Sequence, residues 1–72
     1  MSTDQQIAVD ASSRDPSVGL RAVRSLRALV ERLELLQVDN ARSQGWSWQE
    51  IADHLDVSRQ AVHKKHARRR QE

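Results

Sequence analysis

Gln49-Glu50-Ile51-Ala52-Asp53-His54-Leu55-Asp56-Val57-Ser58-Arg59-Gln60-Ala61-Val62 is the stretch whose reading decides the fold. Trp48, Ile51, Ala52 and Leu55 recur at helical spacing and make one apolar stripe on a short helix. Ser47-Trp48-Gln49-Glu50 reads as a capping box, with serine at the cap and glutamate three residues on. Asp56-Val57 is the expected turn, and Ser58 is placed to cap a following helix. Ala52 is small where two helices cross closely. Ile51, Leu55, Val57 and Val62 are the expected shared core.

Downstream, Arg59, Lys64, Lys65, Arg68, Arg69 and Arg70 are six cations with no acid among them until Glu72. Residues 59–72 therefore carry +5, while residues 1–58, with six cations and nine acids, carry −3. Such a local patch suits a polyanion better than a small acidic substrate.

Upstream, Leu20 to Ser43 is patterned as a long helix. Leu36, Leu29, Ala22, Leu33, Leu26, Val30, Val23 and Ala41 fall in one arc of about 140°, the expected inward face. Arg21, Arg24, Arg27, Glu31, Arg32, Asp39 and Arg42 lie outside it, and Leu35 and Val38 fall on the far side. Asp15-Pro16 marks the start, Asp as cap and Pro in the first turn. Gln44-Gly45 marks the end, where glycine accepts the left-handed conformation. Residues 1–15 are polar and acidic with little bulk beyond Ile7 and Val9, so a disordered tail is expected there.

The expectation is an all-α chain. A three-helix helix-turn-helix domain covers residues 16–72, with helices at about 17–43, 48–55 and 59–69, the first extended. With the last helix propped outward, Arg59, Gln60, His63 and Lys64 fall near its N-terminal end, where base edges are reached in such domains. Arginine pairs with guanine and glutamine with adenine, each through two hydrogen bonds. Ser58, Lys65, Arg68, Arg69 and Arg70 are placed for phosphates. Trp46 and Trp48 read as core rather than as base-stacking platforms, since a small domain is short of apolar area.

Residues Gly45-Trp46-Ser47-Trp48-Gln49-Glu50-Ile51-Ala52, Leu55 and Val57-Ser58-Arg59-Gln60-Ala61-Val62-His63-Lys64-Lys65 resemble a helix-turn-helix family of small actinobacterial DNA-binding proteins. They are also similar to the region 4 end of sigma factors and to homeodomain-like domains. The resemblance spans roughly residues 26–68, and its specific part is residues 45–65. It implies sequence-specific duplex DNA binding through the last helix, in a transcriptional regulator. Two departures stand out. Asp56 occupies a turn position that is usually glycine. Lys65 occupies a usually apolar position, so the last helix is expected to be thinly anchored beyond Val62.

Leu26, Leu29, Leu33 and Leu36 follow three-four-three spacing, the seam of a coiled coil, and Asn40 continues it. A homodimer or a protein partner through the first helix is therefore expected. The alternatives are a nucleoid-type DNA binder of low specificity, an RNA binder using the arginine run, and a protein adaptor using the leucines.

No cysteine is present, and no Gly-rich phosphate loop or paired-carboxylate arrangement is found. His63 and His66 lie three apart, but no third ligand accompanies them, so contact with a phosphate or a base is expected of them rather than a metal. No enzyme activity, cofactor, metal site or small-molecule substrate is expected. Without a signal-peptide layout or an apolar run of about 18 residues, a cytoplasmic, nucleoid-associated bacterial protein is expected.

Overall fold

The computed structural model describes residues 3–70, with side chains through Arg69, and these residues are all-helical. The helices are α1 (Asp4–Ala11), α2 (Pro16–Ser43), α3 (Trp48–Leu55) and α4 (Arg59–Arg70). The chain divides after Leu33 into two compact units, and α2 contributes residues to both. None of the helices is long and apolar enough to cross a membrane.

The first unit corrects one expectation. Residues 4–11, read as part of a disordered tail, form a helix, so the described chain has four helices rather than three. Local bonds account for it. The Thr3 hydroxyl accepts the Gln6 N–H at 3.1 Å, and the Gln6 amide donates to Asp10 at 2.9 Å. Asp4 adds negative charge to the first turn, where the helix dipole favours it. α1 contains no buried residue, so a reading based on burial had nothing to detect. The connection to α2 passes close to Gly19, where an added Cβ would meet the Ser13 carbonyl at 3.4 Å. Asp15 caps α2 as expected, its carboxylate accepting both the backbone N–H (3.0 Å) and the hydroxyl (2.9 Å) of Ser17. These bonds, the hydroxyl's first, hold the Asp15 carboxyl below its usual range.

The second unit contains the end of α2, with α3 and α4. Its core is Val38, Trp48, Ile51, Ala52, Val62 and Ala67, with Ala41 and Trp46 packed against it. α2 closes at Gly45, in the left-handed region at φ +87°. The Trp46 N–H returns to the Ala41 carbonyl (2.9 Å) and the Gly45 N–H to that of Arg42 (3.0 Å), the paired bonds of a Schellman end. The capping box on α3 is complete. Ser47 accepts the Glu50 N–H at 3.1 Å, and Glu50 accepts the Ser47 N–H at 3.0 Å. α3 ends at Asp56, left-handed at φ 57°, with the Val57 N–H bonded to the Ala52 carbonyl at 3.1 Å.

Two further expectations are overturned. The inward face of α2 in this unit is not the leucine row. Val38, expected on the far side, is 2% exposed, whereas Leu36 of the leucine row is 56% exposed. The turn of α2 that faces α3 and α4 carries Glu34, Val38 and Arg42, two of them charged. The Glu34 bonds to α4, with the Arg42 bond to the Trp46 carbonyl and its stacking over the Trp48 ring, mark the face that points in. Leu55 and Val57, expected in the core, are 39% and 47% exposed. Val38 and Ala67 take their places, because α4 closes over the core one turn beyond Val62.

Candidate nucleic-acid interface

α4 begins where Ser58 accepts the Ala61 N–H at 3.0 Å, which satisfies one of the free donors of its first turn. Val62, His66 and Ala67 face inward and are buried. At 100° per residue, Gln60, Lys64 and Arg68 then form one row on the opposite side, one turn apart, with Ala61 beside it. Arg59, Gln60, Lys64 and Arg68 are exposed, and their side chains make no hydrogen bond or ion pair among the described residues.

The other cations expected at the interface are held differently. Lys65 reaches the Glu34 carboxylate at 2.9 Å. The Arg69 guanidinium forms a two-pronged pair with Asp39, at 2.7 and 3.1 Å. Both acids are on α2, so the basic run is partly neutralised by the helix it packs on. Arg70 lies in the last turn of α4. Its side chain lies outside the described residues. His63 sets its ring edge-on against Trp48, with centroids 5.4 Å apart, and so leans toward the core side of α4. The structure thus brings Gln60, Lys64 and Arg68 into one row, leaves Arg59 exposed in the first turn of α4 but off that row, and draws His63, Lys65 and Arg69 toward the rest of the hairpin.

His66 was expected to be available for contact. It is instead 0% exposed, with Nε2 at 2.8 Å from the same Glu34 oxygen that pairs with Lys65. Arg69 approaches its Nδ1 at 3.4 Å. With the ring proton on Nε2, His66 donates to Glu34 and Nδ1 accepts from Arg69, so both nitrogens have partners. Burying an unpaired imidazole is costly, and this pairing removes that cost. Together with Ala67, His66 anchors α4 beyond Val62, which corrects the expectation of a thinly held helix. Glu34 lies at the centre of the cluster. The Lys65 hydrogen bond above all, with the His66 bond and the Lys65 charge, keeps its carboxyl below the usual range, although burial pushes the other way.

Arg42 joins α2 to α3. Its Nη1 donates to the Trp46 carbonyl at 2.8 Å, and its guanidinium carbon lies 4.6 Å from the centre of the Trp48 ring. Trp46 in turn packs against His54, with centroids 4.7 Å apart. Both tryptophans are therefore part of the hairpin's structure, as their apolar area suggested. Arg42 and His66 are the residues that sequence reasoning missed. For Arg42 the available signal was local, a carbonyl and a tryptophan four and six residues on, whereas the His66 partner lies 32 residues away and left no signal in the spacing.

Comparison with protein-family models, with curated proteins and with solved structures returns no match. The likeness to helix-turn-helix proteins rests on the residues quoted above and on nothing further.

Proposed function

We propose that this chain binds duplex DNA in the helix-turn-helix manner, with α4 in the major groove. The observation that supports this most is the exposed row Gln60, Lys64, Arg68, with the exposed Arg59 in the first turn of the same helix. The row carries two cations, Lys64 and Arg68, with no ion pair among the described residues, on a helix whose opposite face is anchored. A solvated surface gains little from such concentration of one charge sign. A phosphate backbone repays it by counterion release. In this reading Arg59, Gln60 and Lys64 contact base edges, and Arg68 and the Ser58 hydroxyl contact phosphates. His63 borders the base-reading set. Lys65, Arg69 and Arg70 add positive potential around it. A role in transcription regulation on the bacterial nucleoid follows as part of the proposal.

The test is binding-site selection from random duplexes, followed by anisotropy titration of the selected and a scrambled duplex. The expected result is a recovered motif, with saturable binding that weakens as salt rises. Gln60→Ala should lose about 1–3 kcal/mol on the motif and much less on the scrambled site. Saturable binding without any motif would replace sequence reading by the low-specificity architectural role. No saturable binding to any duplex at physiological salt would overturn the proposal.

A further inference from the structure

We propose that the leucine strip on α2 pairs with the same strip of a second copy of this chain, in parallel and in register. Leu26, Leu29, Leu33 and Leu36 occupy alternating three- and four-residue steps, which keeps them on one strip of a helix, and Asn40 is the next position of the repeat. Leu33 and Leu36 are about half exposed, Val30 beside them is more exposed still, and Leu26 and Leu29 are half-buried. The hairpin core is built without any of them. At the Asn40 end, an open groove of about 240 Å³, lined by Asn40, Ala41, Trp46, His54 and Leu55, adds apolar surface beside the strip.

Asn40 and the flanking charges identify the occupant. The Asn40 side chain is exposed and makes no hydrogen bond among the described residues. Its main-chain carbonyl accepts from the Ser43 hydroxyl and the Gln44 N–H. A purely apolar partner continuing along the strip would leave that amide unsatisfied. A second copy in parallel sets Asn40 opposite the partner's Asn40, where each amide both donates and accepts. A polar residue at one such position selects register in this way. The flanks agree. In the parallel pair Ser25 faces the partner's Val30 and Arg32 faces the partner's Gln37, with no like charges opposed. The antiparallel alignment that keeps all four leucine layers sets Arg32 against the partner's Arg32. It also sets Asn40 against the partner's Ala22. Both features favour the parallel pair.

The inference rests on α2 alone and is tested without nucleic acid. Sedimentation equilibrium of the full chain at tens of micromolar should give twice the 8.3 kDa chain mass. Leu33→Asp should return the mass to one chain with helical circular dichroism retained, since Leu33 is outside the hairpin core. The chain has no cysteine, so Leu36→Cys offers a clean orientation probe. In the parallel pair this variant should oxidise to a covalent dimer. A single-chain mass across that concentration range would overturn the proposal, as would a dimer whose mass Leu33→Asp leaves unchanged. A dimer in which Leu36→Cys fails to cross-link, while Leu26→Cys/Leu36→Cys succeeds, would overturn the parallel arrangement.

Discussion

Asp56 and Glu34 show how much single residues decide in a chain this small. Asp56 holds a left-handed conformation at φ 57°, ψ 44°, which is tolerable for aspartate but unstrained only for glycine. Asp56→Gly should therefore stabilise the hairpin, by up to about 1 kcal/mol less the entropy glycine adds to the unfolded chain. Urea denaturation gives the difference directly, and a loss of stability would mean the aspartate side chain is making a contact that outweighs its backbone strain. Glu34 accepts from both Lys65 and the buried His66. Glu34→Gln keeps the shape but removes the charge, and should cost about 1–3 kcal/mol at neutral pH. Because the Glu34 carboxyl is held below its usual 4.5, the folded chain keeps it ionised at a pH where the unfolded chain has begun to protonate. The resulting stabilisation is complete above about 4.5 and fades as pH falls through the lower folded value. Denaturation across pH 3–7 should thus fall less steeply at its acid end for Glu34→Gln than for the natural chain. Parallel curves would remove Glu34 as a source of acid sensitivity.

Among the elements, the ends were legible and one face was not. Asp15, Gly45 and the Ser47/Glu50 box each act through bonds made within a few residues, so their spacing in the sequence carries the information. The bounds of α2, α3 and α4 follow closely from them. The same locality makes the box testable. Ser47→Ala removes the acceptor for the Glu50 N–H and should cost about 1 kcal/mol, read by denaturant midpoint. An unchanged midpoint would mean that water replaces the hydroxyl without loss. The inward face of α2 was not legible because hydrophobic periodicity ranks faces by apolarity alone. Here the face used by the hairpin contains Glu34 and Arg42 as well as Val38 and Ala41; Glu34 is paired with Lys65 and His66 of α4, and Arg42 donates through Nη1 to the Trp46 carbonyl. His66 was misread for the same reason. A buried polar residue is indistinguishable from an exposed one until its partner's position is known. α1 was missed because capping, not burial, forms it.

For the molecule as a whole, the contrast between an acidic body and a basic C-terminal run is real in the sequence but softened by folding. Of the α4 cations whose side chains are described, Lys65 and Arg69 are paired with acids of α2, leaving Arg59, Lys64 and Arg68 unpaired among the described residues. If DNA is bound with these pairs intact, only the unpaired cations displace counterions fully. Arg68→Ala should flatten the slope of log K against log salt by about 0.9, whereas Arg69→Ala should change it less. Asp39→Asn is the complementary variant. The Arg69–Asp39 pair is partly solvent-exposed, so its loss should cost at most about 1 kcal/mol of stability. Removing the acid leaves the guanidinium open to phosphate, and Asp39→Asn should bind duplex more tightly with a steeper slope. Anisotropy titrations across a salt series distinguish the cases. Equal flattening by Arg69→Ala and Arg68→Ala would show that the α2 pairs open on the duplex. Asp39→Asn would then raise affinity by removing a competitor that the phosphates otherwise displace.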